Sequence, residues 1–220
     1  MARLSEMARK KTREFIMNPR LIILAAMFMV GIAVSAWYFN QPGAPSAEPR
    51  RATVLPVPNE MPAFTALTHG GEVVDASAFE GQWDLVFFGF THCPDICPLT
   101  LKLLSDVRAE LAAAGAEPLP RIVLVSVDPE RDTPEALGDY IRHFGEDNLG
   151  ITGELEEIRK LANALGIYFE KVAVAEDTYT VDHSTVVLAV DPAGRLRALF
   201  STPHKVEDMV NDLPIVMARQ

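Results

Sequence analysis

The stretch Leu85-Val-Phe-Phe-Gly-Phe90, followed at once by Thr91-His-Cys-Pro-Asp-Ile-Cys-Pro98, decides how the rest of the chain is read. A continuous apolar run of this length predicts a strand buried on both faces. The chain's two cysteines, Cys93 and Cys97, lie in the segment that leaves that strand, with three residues between them. Pro98 suits a first helical position and disfavours helical geometry at Cys97, so a tight turn entering a helix is expected. Such a turn can bring two sulfurs within reach of each other or of one metal ion. The helix N-terminus is expected to favour thiolate over thiol, with Asp95 opposing it if its carboxylate faces the sulfurs.

Working outward, Ile122–Val127 and Thr185–Val190 read as two more buried strands. The turn Asp191-Pro-Ala-Gly194 and the alternating run Arg195–Phe200 predict a hairpin partner with one wetted face. Helical spacing joins Leu103, Leu104, Val107 and Leu111 ahead of Gly115, and Leu137, Ile141 and Phe144 behind the capping-box-like Asp132-Thr-Pro-Glu135. It also joins Leu155, Ile158, Leu161, Ala162 and Leu165 ahead of Gly166, then Val206, Met209, Val210 and Leu213. Upstream, Ala63–Leu67 and Glu72–Asp75 flank His69-Gly-Gly71 and predict an N-terminal hairpin extension. The order strand–helix–strand–helix, inserted helix, strand–strand–helix is that of an α/β, thioredoxin-like fold, a central mixed sheet flanked by helices. In such folds the loop before the Thr185–Val190 strand lies against the Cys turn and commonly carries a proline. Here it carries His183.

Residues 21–39 contain no charge, and nineteen residues at about 1.5 Å each can cross a bilayer core of about 30 Å. Six Lys/Arg precede them against Glu6 and Glu14, so the positive-inside rule keeps residues 1–20 cytoplasmic and exports the rest. Trp37 and Tyr38 fit an interfacial anchor. A cleaved signal peptide competes, because Val34-Ser35-Ala36 resembles a cleavage site, but the apolar run is longer than a usual signal core. Between residues 40 and 60, Pro42, Pro45, Pro49, Pro56 and Pro58 predict a semi-extended tether with no ladder. Residues 61–220 then form one domain. The net charge is −10, and since the first twenty residues carry +4, the remainder carries −14. That balance argues against nucleic-acid binding.

Two thiolates can hold Cu(I) linearly, and an imidazole adds a third ligand that suits either copper valence. A structural disulfide is the simplest competing reading of a Cys pair in an oxidising compartment. His92 would point away from Cys93 in an extended segment, and His69, His143 and His204 read as surface residues. Asp128, at a strand's carboxyl end on the face of the Cys turn, is a candidate to support the ligands through hydrogen bonds. Asp182, beside His183, is another; the bland readings are a turn start and a solvent-facing carboxylate. Asp132 or Thr133 reads as a helix cap.

The string Phe88-Gly-Phe-Thr-His-Cys-Pro-Asp-Ile-Cys-Pro98, with Asp128-Pro-Glu-Arg-Asp-Thr133 and Val181-Asp-His-Ser184, resembles the Sco/SenC family over roughly residues 61–215. The resemblance implies one copper ion per chain, Cu(I) or Cu(II), held by Cys93, Cys97 and His183. It implies delivery of copper to the dinuclear copper A centre in subunit II of cytochrome c oxidase. An alternative within the same resemblance is a thiol–disulfide oxidoreductase acting on the client's cysteines. Copper binding needs both thiols reduced, so an exported dithiol reductant and a copper donor are expected partners. The expected location is a single-pass inner-membrane protein with its C-terminal domain in the periplasm or an equivalent exported compartment.

Overall fold

The structure, a computed structural model, describes residues 19–39, 48–175 and 178–218. The chain divides into two compact units, residues 1–46 and 47–220. The described part of the first is one helix, α1 (Pro19–Phe39). Among the described residues, no helix is long and apolar enough to cross a membrane. The side chains of Leu21, Ile22, Ala25, Ala33, Val34 and 36–39, within the span expected to cross a membrane, lie outside the described residues. The basic tail before residue 19 and the prolines Pro42 and Pro45 also lie outside them.

In the second unit, eight strands form one mixed sheet: β1 (Thr53–Glu60), β2 (Ala66–Thr68), β3 (Val73–Val74), β4 (Asp84–Gly89), β5 (Arg121–Ser126), β6 (Leu149–Thr152), β9 (Val187–Val190) and β10 (Arg195–Phe200). Their spatial order is β1-β10-β9-β4-β5-β6-β2-β3. β4, β5 and β6 are parallel; β9 pairs antiparallel with β4, and β10 with β9. The helices are α2 (Ile96–Ala113), α3 (Pro134–Arg142), α4 (Leu155–Ala164) and α5 (Val206–Ala218). A separate two-stranded ribbon, β7 (Phe169–Ala175) with β8 (Thr178–His183), stands outside the sheet. This is the expected thioredoxin-like α/β layout, and β2–β3 is the expected hairpin extension.

Burial explains the layout. Leu85, Val86, Phe87 and Phe88 are fully buried, as a central strand covered on both faces requires. α2 and α5 pack on each other, and α3 packs on β6. That last contact needs glycine, because a Cβ on Gly150 would sit 2.8 Å from Cγ of the buried Leu137.

The tether expected through residue 60 is corrected. β1 pairs antiparallel with β10, and the ladder shifts register between Val54 and Asn59. Pro56 and Pro58 fall in that irregular stretch of an edge strand, where a missing N–H costs no ladder bond. The preceding turn is fastened by Asp212, fully buried in α5. Its carboxylate accepts from the backbone N–H groups of Arg50, Arg51 and Ala52 at 2.8, 2.7 and 2.8 Å. Burial pushes the Asp212 pKa up, but these donors outweigh it and leave the group below the ordinary carboxylate value. A lowered folded pKa means the stabilisation is present above about pH 4 and is lost as pH falls through that lowered value. Asp212→Ala is expected to cost about 3 kcal/mol, read by urea unfolding at neutral pH, because three donors lose a charged acceptor.

Candidate metal centre

The Cys turn grows out of β4. Phe90 accepts a hydrogen bond from the Cys93 N–H at 3.3 Å, and α2 begins at Ile96. The helix therefore starts two residues earlier than the Pro98 signal implied. Pro98 sits in the first turn, where an N–H has no intrahelical carbonyl to meet. The Cys97 N–H donates to Cys93 Sγ at 3.4 Å. Cys97 is fully buried and Cys93 partly exposed, and both are free thiols. Gly89 lies directly beneath: a Cβ there would sit 3.0 Å from Cys97 Sγ, so only glycine leaves that sulfur its position.

His183 ends β8 rather than lying in a loop. Its imidazole is wedged edge-on between Phe87 and Phe90, with ring centroids 5.7 and 5.9 Å away. Nδ1 donates to the Ser184 carbonyl at 3.0 Å, which leaves the Nε2 lone pair facing Cys97 Sγ at 3.4 Å. The ring is thus oriented by a backbone carbonyl. Asp182, the residue expected to share that task, is exposed, with its side chain on the opposite face of the strand.

Among the described residues, Cys93, Cys97 and His183 are the one group of three His, Cys, Asp or Glu side chains whose ligand atoms lie close enough to share an ion, all within 4.8 Å of one another. His92 stands apart, 53% exposed in its side chain, with Nδ1 at 2.9 Å from Thr91 Oγ1. His143 Nδ1 donates to the Asp139 carbonyl. His69 and His204 are half-buried rather than on the surface: His69 Nδ1 accepts from the Gly150 N–H, and His204 Nε2 donates to the Thr185 carbonyl.

The electrostatics correct one expectation. Burial pushes the Cys97 thiol far above its ordinary pKa, so desolvation defeats the helix N-terminus at this sulfur. Burial also lowers the His183 pKa, against the opposing hydrogen bond to Ser184 and the charge of Asp182. The unloaded pair is therefore a neutral thiol against a neutral imidazole, and a metal ion must displace the Cys97 proton to enter.

Asp132 carries a role that the sequence reading gave only to a helix cap. Thr133 caps α3, accepting from the Ala136 N–H. Asp132, fully buried, accepts from the Thr91 N–H at 3.0 Å, Thr91 Oγ1 at 2.6 Å and Ser126 Oγ at 2.7 Å. It thereby grips the strand-to-turn junction that carries Cys93. Asp128 is also buried, but it touches no ligand: it accepts from the Tyr179 hydroxyl at 2.8 Å and from Arg131 Nε.

The fold and these three side chains define a thioredoxin-like protein in which a Cys–Cys–His cluster sits where thioredoxins place a redox dithiol. A family model described as SCO1/SenC matches residues 54–218, and the chain belongs to that family. It is 34% identical over 180 residues to the human mitochondrial SCO1 homolog, covering 80% of this chain and 60% of that one. The chain therefore spans about three-fifths of the length of this curated relative. Among solved structures it resembles copper-bound ScoI of Arabidopsis thaliana, with 30% identity and a TM-score of 0.68, covering 72% of this chain and 98% of that one. Copper-bound ScoI of Bradyrhizobium japonicum is similar at 29% identity, with a TM-score of 0.61 and coverages of 72% and 99%.

Proposed function

We propose that this protein is a copper carrier that delivers one ion per chain to the dinuclear copper A centre in subunit II of cytochrome c oxidase. The observation that carries this reading is the convergence of two sulfurs and one imidazole nitrogen within 4.8 Å. Soft thiolates select Cu(I), and an added imidazole also accommodates Cu(II). Two relatives with the same fold are described as copper-bound, and the family resemblance supplies the oxidase as receiver. The uncharged run 21–39 behind a basic tail supports retention in the inner membrane with the 47–220 unit exported. Loading needs both sulfurs reduced, which calls for an exported dithiol reductant and a copper donor.

The burial gradient suggests an order of release. The half-exposed ligands Cys93 and His183 are open to substitution by an incoming Cys or His, while buried Cys97 lets go last. The test uses the reduced full chain in detergent. About one copper should bind, with thiolate-to-copper charge-transfer absorption in the Cu(II) form. His183→Ala should weaken Cu(II) binding by about a hundredfold, since metal-site affinity falls about 10–100-fold even for lost outer partners, and should leave Cu(I) largely held by the thiolates. Unchanged Cu(II) binding in that variant would contradict the carrier reading.

One observation favours a second reading, thiol–disulfide exchange on the client. Cys93 Sγ is partly exposed and accepts the Cys97 N–H, while Cys97 lies buried behind it. Cys93 thiolate would attack a client disulfide, expelling one client thiolate. Cys97, passing its proton to the client thiolate already released, would then attack Cys93 Sγ and expel the second client sulfur as thiolate, leaving Cys93–Cys97 oxidised and the client reduced. His183→Ala should leave that exchange intact.

A further inference from the structure

Among the described residues, the ribbon that carries His183 has no strand partner in the main sheet, so side-chain contacts must hold it, and with it the imidazole, over the Cys turn. Side chains at alternate positions of β8 share a face. Tyr179, Val181 and His183 therefore point inward together, and Val181 is buried while Asp182 is exposed. Tyr179 stands about 13 Å from His183 along the strand, at about 3.3 Å per residue. Its hydroxyl donates to buried Asp128 at 2.8 Å. Arg131 stacks on its ring at 3.9 Å and donates to its backbone carbonyl at 3.2 Å. Lys171 of β7 lies over the same ring at 4.8 Å and pairs with Glu130 at 2.6 Å.

Asp128, Glu130 and Arg131 belong to one turn, and that turn also ends in Asp132, the residue that grips Thr91 before Cys93. The turn is internally closed. The Arg131 and Asp132 N–H groups both donate to the Asp128 carbonyl, the Asp128 N–H donates to Ser126 Oγ, and Ser126 Oγ donates to Asp132.

We propose that the 128–132 turn is a yoke: Asp132 fixes the Cys segment, Asp128 and Arg131 fix the His ribbon through Tyr179, and the turn's rigidity sets the distance between sulfur and imidazole. Asp128 is thus a positioning residue for His183, acting through Tyr179 rather than at the metal. The inference rests on the copper-carrier reading and names the element that makes a three-ligand site out of two separately tethered segments.

The test compares copper affinities of the full reduced chain in detergent, using Cu(I) and Cu(II) as the probes. Tyr179→Phe keeps the stacked ring and removes only the hydroxyl. It should weaken Cu(II) binding by about tenfold, with weaker nitrogen hyperfine coupling in the Cu(II) resonance spectrum, and leave Cu(I) within about twofold. In the His183→Ala background the same change should do nothing further, because its effect passes through the imidazole. Wild-type Cu(II) affinity in Tyr179→Phe would overturn the yoke, as would an equal loss of Cu(I), which marks general destabilisation. An undiminished effect in the His183→Ala background would also overturn it. A wild-type chain that takes up no copper in either valence would instead sink the carrier reading, and the yoke with it.

Discussion

Cys97→Ala is expected to abolish useful copper binding in both valences, the largest effect of any single substitution. A full structural metal site of four ligands is worth about 10–16 kcal/mol, so each strong ligand carries about 3 kcal/mol or more, a loss of at least about a hundredfold. Cys97 exceeds that average for structural reasons. Its sulfur is the one that faces His183 Nε2, at 3.4 Å. It is also wholly buried, so no water replaces it cheaply. The fold should survive, because an alanine in a first helical turn keeps the helix and removes only one sulfur from the core. Equilibrium dialysis of the reduced full chain against copper gives the answer, and retention of near-wild-type Cu(I) affinity would contradict it.

The second large effect belongs to Asp132→Ala. Three donors converge on this carboxylate, two of them from Thr91. Removing it takes a charged acceptor from a backbone N–H and two hydroxyls in a partly buried site, which should cost about 3 kcal/mol of stability by urea unfolding. Copper affinity should fall as well, in Cu(I) and Cu(II) alike, because the junction before Cys93 loses its anchor. That pattern differs from His183→Ala, where Cu(II) suffers most. Asp132→Asn should recover part of the loss, since one amide oxygen can still accept from Thr91. Full stability in Asp132→Ala would show that the Cys turn is held by other contacts.

Much of this architecture was legible in the residues. The central strand β4 and its neighbours β5 and β9 announced themselves as unbroken apolar runs because both their faces are covered. The helical stripes on α2 to α5 appeared for the complementary reason, one covered face each. The Cys pair and His183 were legible from position: one follows a core strand, the other precedes one.

What escaped has physical causes. β1 was hidden by Pro56 and Pro58, which exclude an interior strand but not an irregular edge strand. The β7–β8 ribbon fully buries only two apolar side chains, Phe169 and Val181, and exposes residues such as Val174 and Asp182. No period of burial long enough to stand out survives in it. Asp132 and Asp128 looked like a cap and a turn start because their partners lie far along the chain, Thr91 forty-one residues back and Tyr179 fifty-one residues on. Asp212 was unremarked for the same reason, since its three amide partners lie 160 or more residues away. The Cys97 thiol pKa was expected to fall because a helix N-terminus is visible in sequence, whereas the depth of burial that raises it is not.

The central claim is that two sulfurs and one imidazole close on a single copper ion, and X-ray absorption at the copper edge of the loaded full chain tests it most directly. The account predicts two sulfur scatterers and one nitrogen with the outer-shell pattern of an imidazole, the nitrogen vanishing in His183→Ala. A site built from oxygen ligands, or one that keeps its imidazole signature in that variant, would contradict it.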